Sequence, residues 1–300
     1  MYSALNLIEI YSYTSVVCII VFVLLRFNPG WNIIIPNVTS YGKLRNTCGK
    51  FEMSKAYFKH FYRIAVVTST TLLVLILCVY FLHVEPPKLI LHILQKYFWN
   101  RNKSLMSVKD TIVGLTLYTI HCYKRFYETH FVNVFSKSAQ ITVIQYIAGI
   151  IYYPFSFIGV LSAAPKFAIG TNNDVEVEVI KIDYLDILVI MVFLCSAWVQ
   201  YKSAIILSNL RRNSRHAENR DAYKIPEGGL FMFISSPHIN TEILIYICLL
   251  YYFQNNLTWI SIFLLVLANQ MNSIYETHEW YKKTFRNYPS QRKMFIPLIY

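Results

Sequence analysis

Ile64-Ala65-Val66-Val67-Thr68-Ser69-Thr70-Thr71-Leu72-Leu73-Val74-Leu75-Ile76-Leu77-Cys78-Val79-Tyr80-Phe81-Leu82 runs for 19 positions without a charged side chain. A helix rises about 1.5 Å per residue, so roughly 20 apolar residues match a hydrocarbon core of about 30 Å. A second stretch, 138–165, is free of charge over 28 positions. Working outward, 7–27 and 184–207 have the same character, and 105–123 is more polar because it holds Asp110 and His121. From 243 to 275 there is no charge in 33 residues, but Gln254-Asn255-Asn256 breaks the run as a turn would, giving helices near 231–253 and 257–275. The expectation is an all-α integral membrane protein, a bundle of about seven transmembrane helices.

Composition agrees. Of 300 residues 55% are hydrophobic and only 15% charged, against about 25% charged in a soluble domain. The 24 Tyr and 20 Phe suit interfacial belts and helix packing. A net charge of +12 could serve a nucleic acid, but the basic residues lie between apolar runs, so no nucleic-acid partner is expected and the lipid bilayer is. The six cysteines are scattered, and five of them sit inside apolar segments, so neither a disulfide framework nor a metal site is expected. The first apolar stretch follows Glu9 rather than a basic segment and reads as a retained span. Segment 1–60 is then a first span plus a basic loop, and 61–300 the rest of what is effectively one membrane domain, with its signature motifs at about 200–300.

Lys and Arg accumulate on the cytosolic side of short loops. With the N-terminus outside, segments 28–60, 124–137, 202–237 and 276–300 hold nineteen of them and the opposite loops six. The C-terminus is therefore expected in the cytosol. Sequons occur at Asn37, Asn102 and Asn256; the first is on the cytosolic side and the third lies too near the membrane, which leaves only Asn102 open to glycosylation.

Ionisable residues inside a membrane cost roughly 2.5 to 3.5 kcal/mol at a helix centre. Here His121, Lys124, Arg125 and Glu128 close the third helix, Gln200 and Lys202 close the fifth, Glu242 lies in the sixth, and Glu276, His278 and Glu279 follow the seventh. They converge under the cytosolic face. End-of-helix cations also snorkel into headgroups, but Glu242, flanked by Ile243 and Leu244, cannot, so it requires a partner. Arg211, Arg212, Arg215 and Arg220 precede Gly228-Gly229 on the side that carries Arg286, Arg292 and Lys293. That surface suits either a polyphosphate cofactor or anionic lipid, because guanidinium forks grip phosphate.

Tyr223-Lys224-Ile225-Pro226-Glu227-Gly228-Gly229-Leu230-Phe231, then Ser235-Ser236-Pro237 and Glu242, and an ending with His278-Glu279-Trp280-Tyr281-Lys282, Tyr288-Pro289, Arg292-Lys293 and Ile296-Pro297 resemble the signatures of the steroid 5-alpha-reductase family. Within it, residues 55–62, 200–202, 207–211 and 235–237 look like the branch that acts on polyprenal. The segment 121–135 is also similar to trans-2-enoyl-CoA reductases. The resemblance implies a multi-pass endoplasmic-reticulum oxidoreductase that uses NADPH to reduce a double bond conjugated to a carbonyl, here in a long-chain isoprenoid, within dolichol biosynthesis and without an obligate protein partner. Carried over by position, the cofactor contacts are Arg125, Glu128, Gln200, Lys202, Asn209, Arg211, Tyr223, His238, Glu242, His278, Tyr281 and Arg292. His238 stands where the family usually has Asn. The steroid-gripping neighbourhoods read His60-Phe61 and His121-Cys122 here, which argues against a 3-oxo-steroid. His60 and Tyr62 are the candidates for the catalytic hydrogen-bond donor.

Seven helices also describe a G-protein-coupled receptor or a lipid transporter. The receptor reading lacks its sequence marks: the third helix ends in Lys124-Arg125-Phe126-Tyr127-Glu128, and the last helix has no Asn-Pro pair.

Overall fold

The computed structural model describes residues 6–25, 52–98, 106–135, 139–168, 181–215 and 223–295. Among them are eight α-helices: α1 (Leu7–Leu25), α2 (Phe58–Phe81), α3 (Lys88–Phe98), α4 (Val108–Tyr127), α5 (Val143–Leu161), α6 (Tyr184–Arg215), α7 (Pro237–Phe253) and α8 (Leu257–Thr284). Four of them, α2, α5, α6 and α8, are long and apolar enough to cross a membrane, and 7–21 is a shorter apolar helix. The expectation of an all-α chain is corrected in one detail. Strand β1 (Glu52–Ser54) pairs antiparallel with β2 (Gln140–Thr142), Glu52 opposite Thr142.

Helix ends follow from local chemistry that hydropathy does not see. The Ser54 hydroxyl accepts from Ala56 N at 3.3 Å and starts a short 3-10 turn that runs into α2. Helix α2 thus begins at Phe58, so a division after residue 60 falls inside it. Thr142 and Gln145 form a reciprocal capping box, Gln145 N to Thr142 Oγ1 at 3.1 Å and Thr142 N to Gln145 Oε1 at 3.0 Å, which sets the start of α5. Pro237 opens α7, where its missing N–H costs nothing. The expected start near residue 231 is instead a 3-10 turn, Gly229–Met232, entered through Gly228 at φ 88° and Gly229 at φ 54°, conformations that favour glycine.

Helices α6 and α8 are longer than expected. The 32 residues of α6 span about 48 Å, beyond a bilayer core, so Lys202 to Arg215 is helix and not loop. Glu276, His278 and Glu279, expected after the last helix, lie in its final turns. Helix α3 was expected as loop. Its polar residues Lys88, His92, Gln95 and Lys96 recur at helical spacing, and it is only 11 residues long, too short to register as a span. The basic loop before residue 51, Asn37 and Asn102 fall outside the described residues.

Polar pairs gather at the two poles of the bundle. At one, Lys109 Nζ meets the buried Asp186 at 2.7 Å, Tyr252 donates to the Asp186 carbonyl at 3.3 Å, Asn256 donates to the Gly159 carbonyl at 2.8 Å, and Thr258 donates to Glu9 at 2.9 Å. These ties join the starts of α1, α4, α6 and α8 to the ends of α5 and α7. The opposite ends converge at the other pole. Between the poles the core is aromatic: Tyr118 stacks on Phe157 at 4.4 Å and meets Trp259 edge-on at 5.2 Å. Gly114 lets α4 approach α7, since a Cβ there would stand 2.5 Å from the Phe253 ring.

Candidate functional site: a buried charge network and a tail clasp

His121, Lys124, Arg125 and Glu128 are spaced i, i+3, i+4, i+7, one face of a helix. Helix α4 and the π-helical turn Glu128–Val132 that continues it aim this face at α2, α6 and α7. Burial of these groups demands pairing. Arg125 Nη1 donates to Glu128 at 2.6 Å, while its Nε and Nη2 donate to the Tyr62 hydroxyl at 3.2 and 3.0 Å. Lys124 binds the other Glu128 oxygen at 2.9 Å and also the Gln200 side-chain oxygen. The Gln200 amide donates to Glu242 and, at 3.0 Å, to the His238 carbonyl. His121 Nε2 lies 3.2 Å from the other Glu242 oxygen. Glu242 therefore has protein partners for both oxygens, as its place beside Ile243 and Leu244 requires. Lys124 and Arg125 thus stand against Glu128 and Glu242, two cations to two carboxylates.

Beneath this network Tyr152 donates to Tyr246 at 2.9 Å, and the Tyr118 hydroxyl meets Ser156 at 2.8 Å. Tyr62 packs beside Tyr153, ring centres 5.7 Å apart. His121 Nδ1 is buried and has no hydrogen-bond partner among the described residues.

A second cluster is built by the chain after α8 folding back. Lys293 N donates to the Phe233 carbonyl at 2.8 Å and Ser235 N to the Lys293 carbonyl at 3.0 Å. This clasp places Ser235 Oγ 2.6 Å from His278 Nδ1 and 2.7 Å from the Tyr288 hydroxyl. Tyr288 stacks on Tyr281 at 5.4 Å, and Tyr223 meets Trp280 edge-on at 5.2 Å. Arg292 is 5% exposed; one Nη donates to the Pro226 carbonyl at 2.8 Å, its guanidinium lies 5.6 Å from the Tyr288 ring centre, and its Nε has no partner among the described residues. Arg211 donates to the Val134 carbonyl at 2.5 Å. Among the described residues no carboxylate pairs with Arg211, Arg212 or Arg292. Such uncompensated cations, one with an orphaned donor, fit an anionic polyphosphate cofactor.

Of the residues expected from sequence, Tyr62, Arg125, Glu128, Gln200, His238 and Glu242 meet in the first cluster, and Tyr223, His278, Tyr281 and Arg292 in the second. Arg211 shares a face with Gln200, eleven residues and about three turns away. Lys202 and Asn209 do not join them: they sit about 200° and 180° around α6 from Gln200, both exposed, with Lys202 Nζ 4.6 Å from the Trp198 ring centre. Both side chains face outward, apart from the two clusters. His60 is likewise apart, two residues and about 200° from Tyr62; it stacks on Tyr57 at 5.1 Å, and its Nδ1 lies 2.8 Å from the Tyr146 hydroxyl. The expected set lacked Ser235, Tyr288, His121 and Lys124. For the last two the signal was present in the helical spacing of 121–128.

Helices that seat paired charges inside an apolar bundle, with a basic tail clasp beside them, define a membrane-bound helical protein with an enclosed polar site. Residues 139–300 match the family described as 3-oxo-5-alpha-steroid 4-dehydrogenase. The chain is similar to proteins named polyprenal reductase: that of Drosophila melanogaster, 34% identical over 83% of this chain and 77% of the relative; that of Homo sapiens, 31% over 89% and 86%; and that of Mus musculus, 30% over 89% and 87%. The chain belongs to the 3-oxo-5-alpha-steroid 4-dehydrogenase family, whose members are oxidoreductases acting on a carbon–carbon double bond.

Proposed function

We propose that this protein is an NADPH-dependent reductase of the α-isoprene double bond of polyprenal, seated in the endoplasmic-reticulum membrane by seven crossings with its C-terminus in the cytosol. Likeness across most of the chain to relatives named polyprenal reductase supports the substrate over a 3-oxo-steroid. The observation that carries the chemistry is the Tyr62 hydroxyl held by two Arg125 donors inside the buried network.

NADPH, when bound, supplies a hydride to the β carbon of the enal. The chain's task is to stabilise negative charge on the carbonyl oxygen and to let a proton add at the α carbon. Arg125 occupies lone pairs of the Tyr62 oxygen, which leaves that hydroxyl to donate to a substrate oxygen beside the Tyr153 ring. A positioned donor of this kind is worth about 2.7 to 4 kcal/mol in a barrier. Arg211 and Arg292 are the residues to hold phosphate, with Tyr223, His278 and Tyr281 packing beside it. Glu242, fixed by His121 and Gln200, sets the orientation of the His121 ring next to Tyr246. Membranes containing the protein, incubated with NADPH and polyprenal, should yield a lipid two mass units heavier, resolved by mass spectrometry. Reduction of a 3-oxo-steroid with no change in polyprenal would reject the reading.

A further inference from the structure

Helix α2 carries a cationic pair that the reductase chemistry does not use. Lys59 and Arg63 are one turn apart at the network pole, and His130, on the π-helical turn after α4, faces them across the α2–α4 seam. Arg63 Nε donates to His130 Nε2 at 3.1 Å, and His130 Nδ1 lies 2.9 Å from the Phe126 carbonyl. A carbonyl only accepts, so Nδ1 carries the proton and Nε2 presents its lone pair to the arginine. The ring is therefore neutral. Burial first, opposed by the hydrogen bond to the Phe126 carbonyl and aided by the charges of Arg63 and Lys59, holds its pKa below the ordinary histidine value. An arginine anchored by a neutral acceptor keeps its full charge and both Nη groups for something else.

Among the described residues no carboxylate answers that charge: neither Lys59 nor Arg63 makes an ion pair, and Arg63 is exposed. The flank of the seam is apolar and outward-facing: Tyr123 is 47%, Tyr127 49% and Phe131 65% exposed. The Tyr123 hydroxyl meets Thr70 at 2.9 Å, on the Arg63 face of α2, and Phe126 stacks on His130 at 4.1 Å. Cations at the polar end of an exposed aromatic belt lie at headgroup depth. A guanidinium held at Nε has its fork preset for two phosphate oxygens, which lowers the ordering cost of binding.

We propose that Arg63, Lys59 and the Arg63-orienting His130 form a binding site for the phosphate of an anionic phospholipid headgroup at the α2–α4 seam, separate from the reductase site. The lipid lies in the surrounding leaflet with its acyl chains against Tyr123, Tyr127 and Phe131. Diffuse attraction to a negative surface would need only charge; the anchored fork implies a discrete site with one occupant.

The test is native mass spectrometry of the full-length protein in detergent, titrated with dioleoyl phosphatidate, dioleoyl phosphatidylcholine or inorganic phosphate. The expected result is one retained phosphatidate, no comparable retention of phosphatidylcholine, and no displacement of the lipid by equimolar inorganic phosphate. Arg63→Lys keeps the charge but loses the fork and the His130 anchor, and His130→Leu frees the arginine; each should weaken phosphatidate about ten-fold. Lys96→Gln, on α3 at the other pole, should bind as the wild type does. Equal melting temperatures in detergent qualify the variants, and Lys59→Gln, at a half-buried position, replaces any that fails to fold, with the same weakening expected. Arg63→Lys binding phosphatidate like the wild type would reduce the site to diffuse charge and overturn the proposal, as would equal retention of phosphatidylcholine. Displacement by inorganic phosphate would overturn the lipid as occupant.

Discussion

Arg125 grips Tyr62 by two nitrogens, Nε at 3.2 Å and Nη2 at 3.0 Å from the phenol oxygen, while its third nitrogen holds Glu128 at 2.6 Å. The tyrosine on α2 is thereby locked to a charge network whose other members come from α4, α6 and α7. A hydroxyl buried for packing alone needs one partner, and this one receives two charge-assisted bonds.

Removing that hydroxyl tests its role directly. Tyr62→Phe should keep the packing against Tyr153 and lower kcat about 100- to 1000-fold, with the Michaelis constant for NADPH little changed. Steady-state kinetics on the purified variant measure both. An unaltered kcat would move the donor role elsewhere, with His60→Gln the next variant to assay.

His121 offers a test based on which nitrogen matters. A glutamine amide reaches the place of Nε2 and can still serve Glu242, whereas an asparagine reaches only as far as Nδ1. If the unpartnered Nδ1 meets the substrate, His121→Gln should melt near the wild type yet turn over at least ten-fold more slowly. His121→Asn should instead lose roughly 3 to 5 kcal/mol, because Glu242 is left buried with half its partners. A fully active His121→Gln would confine the residue to holding Glu242.

Cofactor choice should rest on Arg292. The 2′-phosphate of NADPH adds about two charges, and a charge-assisted hydrogen bond is worth roughly 1.5 to 3 kcal/mol. Arg292→Ala is expected to weaken NADPH about ten- to a hundred-fold and leave NADH nearly untouched. Turnover with both cofactors measures this. Equal losses would mean that the residue serves the clasp, through its bond to the Pro226 carbonyl, and not the phosphate.

Topology is open to a chemical test. A glycosylation sequon appended after Tyr300 should stay unmodified in microsomes if the C-terminus is cytosolic, and one inserted between Asn173 and Asp174, midway along the opposite loop, should be modified. A shift in mass on the first and none on the second would invert the arrangement.

The amino-acid sequence by itself determined the class, the apolar helices and the pole at which the charges collect. Those properties are sums over local composition: hydropathy of 64–82, Lys and Arg counts in loops, and the spacing of His121, Lys124, Arg125 and Glu128 on one helical face. The tail motif was also legible as a likeness of residue types. Boundaries were less so, because caps such as Thr142 with Gln145, and the continuation of α8 through Glu276, His278 and Glu279, depend on a few backbone hydrogen bonds that hydropathy does not register. Only the tertiary structure decided the pairings. Glu242 finds His121 across 121 residues and Gln200 across 42; Tyr62 finds Arg125 across 63; Ser235 finds His278 across 43. It also separated Tyr62 from His60, and Gln200 from Lys202 and Asn209, since a residue's rotation about its helix acquires meaning once the neighbouring helix is in place. Buried charge is costly unless paired, so the sequence announced that partners must exist, and packing chose which they were.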